Sequence, residues 1–356
     1  MLSLPLPRIR ELLQKERKLL VYHRDGDGTT AAALLQRHLP MEALSLESPH
    51  LDADILAAIR RRKPEVIIFA DLAVDQDWEL LLELEQEARL LVIDHHLYVK
   101  DVGSPRTVYV NPRLQEREAY LPAAYLVYQI LRALGKPAEA WIAWMGVIAD
   151  YGTKSCRDLQ DDLRKERPDL AAGGFSSPLG RAGALISSAI TAAGDKGAAL
   201  ALQALREAKG PEDFSRQPQL QAWREDVEHE IRNVVDSFLD RREFHEAEGL
   251  AILDLDTKFS IASTVSTILS DRNPDLVIVI KRPLRKEGIK LSLRNQSGRV
   301  DLHLLVKEAA RGLGRAGGHE KAAGALITDW PLFKKRLLAL LRKSGGSAPA
   351  KGRKKG

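Results

Sequence analysis

Two short stretches concentrate residues able to do chemistry. "HRDGDG", His23 to Gly28, sets a histidine and two carboxylates, Asp25 and Asp27, at alternate positions, and "VIDHH" ends an apolar run in Asp94, His95 and His96. Asp71 in "FADLAVD" and Asp150 in "GVIADYG" are further acids that close apolar segments. Carboxylates at this density repel one another unless a cation lies between them. Oxygen and imidazole donors without a thiol suit hard or borderline divalent ions such as Mn²⁺ or Mg²⁺. Two such ions, bridged by a carboxylate and a water, would neutralise the acids and convert the water into a hydroxide able to attack phosphorus in line. Phosphoester hydrolysis is the reaction that fits.

The elements that must position these groups follow from the apolar pattern. Leu19–Tyr22, Val66–Phe69 and Leu90–Ile93 read as buried strands, the first two followed by helical patterns, "TTAAALLQRHL" and "DWELLLELEQEA". That alternation predicts βα units and a parallel sheet, which binds ligands at the carboxyl ends of its strands. Each of the three runs ends at an acid, so Asp25, Asp27, Asp71 and Asp94 gather at one edge. From Ala123 the pattern is helical, and its second helix ends at Asp150, where an acid opposes the helix dipole. Arg157 to Pro178 reads as a loop. Taken alone, Asp25, Gly26 and Gly28 could simply form a strand-to-helix turn capped by Thr29 or Thr30.

A second α/β domain follows a long polar helical pattern, Gln217 to Glu243. Its strand candidates are Leu250–Leu255, Leu276–Ile280 and Ile289–Leu293. The expected organisation is a parallel-sheet catalytic domain over 1–215, a linker helix over 216–245, a smaller substrate-binding domain over 246–342 and a disordered basic tail over 343–356.

The 356 residues carry a net charge of +5, but six basic residues and no acid fall between Arg342 and Gly356, which leaves 48 basic against 49 acidic residues elsewhere. Lys281 to Arg299 holds seven basic residues and one acid, a local face suited to a polyanion. No apolar run is long enough to span a bilayer, and the N-terminus lacks the apolar core of a signal peptide, so a cytoplasmic protein with no membrane partner is expected. The single cysteine, Cys156, excludes an internal disulfide or a thiolate metal cluster. "GRAGGHEKAAGA" reads either as a tight turn ahead of a helix or as a phosphate site at that helix start, with backbone amides of Gly317 and Gly318 and the His319 side chain as donors. Arg294, closing "KLSLR", is the best placed guanidinium for a substrate phosphate.

In order along the chain, "HRDGDG", Asp71 in "FADLAVD", Asp94-His95-His96, Asp150 in "GVIADYG" and "GGHEKAAGA" resemble the motifs of the DHH phosphoesterases and their associated C-terminal domain. The resemblance implies that Asp25 and Asp27 ligate different metals, that Asp71 bridges both, and that His95 and Asp150 complete the second ion. It also implies that His23 supports or ligates the first, that His96 assists the leaving oxygen, and that Asp94 orients the histidines. The implied activity is a two-Mn²⁺, or else Mg²⁺, exonuclease of single-stranded DNA or RNA of the RecJ-like or archaeal kind. The alternatives are a nanoRNase or small-nucleotide phosphatase acting on short oligonucleotides, and a non-catalytic Cdc45-like scaffold. A replication or repair protein is an implied partner.

Overall fold

The computed structural model of the protein describes residues 3–284 and 288–344; the tail from 345 onward, and Arg285 and Lys286 of the basic face, lie outside the described residues. The chain divides into two units, one up to Glu225 and one from Asp226.

The first unit is built on strands β1 (Lys18–His23), β2 (Glu42–Leu46), β3 (Val66–Ala70), β4 (Arg89–Ile93) and β5 (Thr107–Val110). All pair in parallel, in the order β2-β1-β3-β4-β5. Its helices are α1 (Leu6–Leu13), α2 (Gly26–His38), α3 (Ala53–Arg60), α4 (Trp78–Glu87), α5 (Ala123–Ala133), α6 (Ala140–Ala149), α7 (Arg157–Glu166), α8 (Pro178–Ala193), α9 (Asp195–Glu207) and α10 (Pro211–Ser215). Leu20 and Tyr22 of β1 join the core formed with α2, α5, α6 and α8, whereas Leu19 and Val21 face α3 and α4. A sheet covered on both faces needs apolar residues at successive strand positions, which is why these strands are unbroken apolar runs. The chain winds outward from β1 to β2 and then returns to β3, so strand order reverses between β1 and β3. At that reversal the loops diverge and leave a crevice beyond the strand ends.

Three local expectations are corrected. The sheet has two strands more than the apolar runs predict: β2 mixes polar and apolar residues, and β5, though buried, is followed by no helical pattern that would mark a βα unit. The segment expected as a loop after Arg157 forms α7, because Leu159 and Leu163, four residues apart, bury one stripe of an otherwise polar helix. The cap of α2 is Asp25, whose Oδ1 accepts from the Gly28 amide at 2.8 Å, while Thr30 sits inside the helix and donates to the Gly26 carbonyl.

α11 (Pro218–Asp236) runs through the expected connecting segment, and the second unit adds α12 (Phe238–Arg241), α13 (Ala262–Arg272), α14 (Leu302–Ala309) and α15 (Trp330–Ser344). Its sheet comprises β6 (Glu243–His245), β7 (Leu250–Asp254), β8 (Val277–Leu284), β9 (Gly288–Arg294), β10 (Gly314–His319) and β11 (Ala322–Ile327), in the order β10-β11-β9-β8-β7-β6. Only β7 and β8 pair in parallel. Leu291, Leu293, Ala323, Ala325 and Ile327 turn one face toward α14 and α15. The helix expected to start in the glycine segment is absent: pairing of His319 with Ala322 leaves Glu320 and Lys321 as a two-residue hairpin turn. Gly318, at φ +144°, takes a conformation that side chains rarely adopt, and a Cβ there would lie 2.4 Å from the Ala322 carbonyl. α15 continues through Lys343, a position expected in the tail. Among the described residues no helix is long and apolar enough to cross a membrane.

Candidate metal centre

β1, β3 and β4 all end at the same sheet edge, and the residues that follow them converge there. Gly26 and Gly28 make the first turn feasible: a Cβ on Gly28 would strike the His23 carbonyl at 2.2 Å, and one on Gly26 would strike Ala149 at 2.6 Å. The second contact brings the end of α6, and with it Asp150, against the start of α2. Asp71 follows β3 in the left-handed region, φ +60°, and its amide donates to the Ile93 carbonyl at 2.9 Å. This backbone, uncommon for a residue other than glycine, turns the carboxylate across the mouth of the β1–β3 crevice.

The side chains fall into two groups that share Asp71. In the first, His23 Nδ1 lies 3.1 Å from Asp25 Oδ2 and 3.4 Å from Asp71 Oδ2. In the second, His95 Nε2 lies 3.1 Å from Asp71 Oδ1, 3.5 Å from Asp150 Oδ2 and 3.9 Å from Asp27 Oδ2. His23, Asp25 and Asp71 could hold one ion, and Asp27, His95 and Asp150 another. His96 stands beside them, its Nδ1 2.7 Å from Oδ1 of the fully buried Asp94, which leaves Nε2 for a ligand.

The electrostatics explain why these groups want a cation. Burial, then repulsion from Asp71, pushes the Asp27 carboxyl well above the usual range, and the same two causes raise Asp25. Burial also raises Asp150. Burial acts on Asp71 in the same direction, but hydrogen bonds and charge from His23 and His95 outweigh it and hold Asp71 below its ordinary value. The imidazoles answer in kind: burial lowers His23 and His95, yet the surrounding carboxylates lift each to about 10. Among the described residues no lysine or arginine pairs with Asp25, Asp27, Asp71 or Asp150, so protonated histidines are the compensating charge of the metal-free protein. The buried His95 Nδ1 has no protein partner. Oxygen and imidazole donors in two groups around a shared carboxylate fit a pair of Mn²⁺ or Mg²⁺ ions.

Sequence reasoning missed Tyr120 and the start of α5, and it offered Asp75, four residues after Asp71, as a possible contributor without a role. Tyr120 donates to Asp150 Oδ2 at 2.6 Å and to the Asp150 carbonyl at 3.0 Å, so it fixes the acid at the end of α6. Asp27 accepts the Ala123 and Ala124 amides at 2.6 and 2.9 Å, which anchors the N-terminus of α5. The buried Asp75 accepts the Val99 amide at 2.6 Å and so holds the loop after His96. No sequence pattern marks these contacts, which join positions up to 97 residues apart.

In the second unit, strand register places Arg294, Ser292 and Lys290 of β9 beside Ala322, Gly324 and Leu326 of β11, and these beside His319, Gly317 and Arg315 of β10. Arg294, Gly317 and His319 therefore share one sheet face. Gly318 belongs to the opposite face, and its carbonyl accepts from His303 Nδ1 on α14 at 2.9 Å. Arg294 is half-buried and donates to the Leu293 carbonyl and to Ser263 Oγ at 2.8 and 2.9 Å. Elsewhere in the basic segment, Lys281 pairs with Asp254 at 2.7 Å, and Arg299 donates to the carbonyls of Glu248 and Gly249 at 2.6 and 2.9 Å.

No curated protein matches the sequence. Among solved structures, RecJ from Thermus thermophilus in complex with Mn²⁺ is 18% identical with a TM-score of 0.68, covering 95% of this chain and 54% of that one. This chain thus spans about half the length of that RecJ. An exonuclease RecJ bound to manganese is 17% identical, TM-score 0.67, over 94% and 93% of the two chains. Cdc45 from Entamoeba histolytica is 11% identical, TM-score 0.59, over 94% and 98%. At these identities the likeness is one of fold, and the fold is RecJ-like. Residues 18–162 match the family model described as "DHH family, N-terminal domain", and residues 248–344 match the DHHA1 domain. With both matches spanning about two thirds of its length and its five motifs falling within the segments that those matches cover, the chain belongs to the DHH family, a DHH domain followed by a DHHA1 domain.

Proposed function

We propose that the protein is a divalent-metal-dependent phosphodiesterase, an exonuclease that hydrolyses single-stranded DNA or RNA. The observation that carries this reading is the pair of ligand groups around Asp71, His23–Asp25 on one side and Asp27–His95–Asp150 on the other. Two Mn²⁺ or Mg²⁺ ions held there would supply charge neutralisation for a phosphodiester and acidify a water. The left-handed backbone of Asp71 directs one carboxylate oxygen to each group, and Tyr120 fixes Asp150. Asp94 holds His96 by Nδ1, and although burial lowers the imidazole, that carboxylate raises its proton affinity above the ordinary value. The Nε2 edge of His96 is the donor proposed to meet the departing oxygen. His319, Arg294 and the small surface around Gly317 and Gly324 are the groups proposed to receive a backbone phosphate, with Gly318 supporting the hairpin turn rather than that face.

The test is incubation of end-labelled single strands of graded length with Mn²⁺, resolved over time. Mn²⁺-dependent release of nucleotides from long strands is expected. Hydrolysis confined to di- and trinucleotides would instead assign a nanoRNase or small-nucleotide phosphatase. Binding without hydrolysis at any length would assign a scaffold of the Cdc45 kind, in which a replication or repair protein is the partner.

A further inference from the structure

We propose that Tyr151 and Phe175 form a stacking platform for a nucleobase of the substrate, beside the metal centre; the inference rests on the phosphodiesterase reading and narrows its substrates to base-bearing chains. Tyr151 is the residue after Asp150, yet its side chain leaves the site for solvent and is 78% exposed. Phe175, 54% exposed, comes from a different segment and meets it edge to face, with ring centroids 5.0 Å apart at 65°. Two large aromatic rings turned to water at one place lose the benefit of burial, and their exposed surface is available to a flat π-system.

The backbone beneath Tyr151 is strained, and that beneath both rings is held by hydrogen bonds. Tyr151 occupies the left-handed region at φ 56° and ψ 17°, which a bulky side chain disfavours. Such a conformation persists only when its surroundings over-determine it, and it clusters at functional sites. Here Tyr120 grips both the carboxylate and the carbonyl of Asp150, and the Tyr151 amide donates to the Ile148 carbonyl at 3.2 Å. Phe175 sits in a turn closed by Ser177, whose amide and hydroxyl donate to the Gly174 carbonyl at 3.1 and 2.7 Å. The same Ser177 hydroxyl caps α8 by accepting the Gly180 amide at 3.0 Å. Rings on fixed supports lose little freedom when a base lands on them. Every base has a π face, so this contact tolerates any sequence, as a nuclease requires, and offers nothing to an inorganic polyphosphate.

The experiment compares a trinucleotide with its fully abasic counterpart, the same sugar–phosphate chain without bases. Michaelis constants are measured with Mn²⁺, and equilibrium binding is followed by fluorescence anisotropy on versions with non-hydrolysable linkages. The variants are Tyr151→Gly, which removes the ring and also relieves the left-handed strain, Phe175→Ala, and Tyr151→Trp as the aromatic control. A stacked base should favour the base-bearing chain by about tenfold. That preference should be lost in Tyr151→Gly and Phe175→Ala and kept in Tyr151→Trp, with abasic binding and Mn²⁺ affinity unchanged throughout. Parent-like preference in both ring-deleted variants, or equal loss on the two chains, would overturn the platform while leaving the phosphodiesterase reading intact. A parent protein that neither binds nor cleaves these chains or a long single strand would overturn both.

Discussion

Asp71→Asn isolates the bridging carboxylate with little disturbance of the fold. Asparagine has the same shape and tolerates the left-handed region, so the φ of +60° survives the exchange. One carbonyl oxygen remains to accept from His23 or His95, now 3.4 and 3.1 Å from the two carboxylate oxygens. What changes is charge. In the metal-loaded site Asp25, Asp27, Asp71 and Asp150 oppose two divalent cations, and the centre is formally neutral. The amide leaves one positive charge uncompensated. At ~4 Å and an effective dielectric of about 20, a unit charge facing a divalent ion is worth about 8 kcal/mol, twice the value of a unit pair. With water in the vacated position recovering about half of that, the more weakly held ion still loses ~10³-fold in affinity. Calorimetric titration of metal-stripped protein with Mn²⁺ should show two ions on the parent and a second ion weakened by that factor on the variant, with hydrolysis falling in step. In chelator the variant should unfold at a lower temperature than the parent, because the neutral amide no longer pairs with the protonated His23 and His95, while its folded-state circular dichroism stays that of the parent. A variant that binds both ions within tenfold of the parent and turns over at the parent rate would refute the shared-ligand arrangement.

Asp25→Asn and Asp27→Ala should separate ligation from folding. The first keeps the cap of α2 and should shift chelator-measured stability by less than about 0.5 kcal/mol, whereas the second orphans the Ala123 and Ala124 amides and should cost about 2 kcal/mol in a denaturant titration. Equal stabilities would show that Asp27 does not anchor α5. His319→Ala should raise the Michaelis constant for an oligonucleotide and leave calorimetric Mn²⁺ affinity unchanged; the reverse pattern would remove His319 from the phosphate face. In chelator, His23 and His95, raised from 6.5 to about 10, contribute stability that is complete below about 6.5 and is lost as the pH climbs through about 10. Melting temperature should therefore fall across that window, and Mn²⁺ uptake near neutral pH should release protons detectable with an indicator dye. A flat melting profile would show that the two histidines are not the metal-free counter-charges.

The order of the acids and the apolar runs that carry them were legible from sequence, because a strand buried on both faces must be apolar throughout and a polar ligand can appear only where it ends. Leu19–Tyr22, Val66–Phe69 and Leu90–Ile93 state that rule without reference to anything distant. β2 did not, since "EALSL" mixes glutamate and serine into the run, and β5 did not, since "TVYV" leads into no helical pattern and is defined as a strand by its pairing with β4. In α7 only Leu159 and Leu163 are buried, and two apolar residues in a polar run signal a helix only once a core exists to receive them. The hairpin of β10 and β11 was hidden for another reason: glycine and alanine serve a turn, a helix start or a strand equally, and pairing with β9 decides among them. Tertiary structure alone brought β1 beside β3, divided the acids into two groups around Asp71, and supplied Tyr120 to Asp150 and the start of α5 to Asp27. Those choices depend on strand order and helix placement, which arise from the summed packing of side chains distant in the chain, and a local pattern of residues carries no record of that sum.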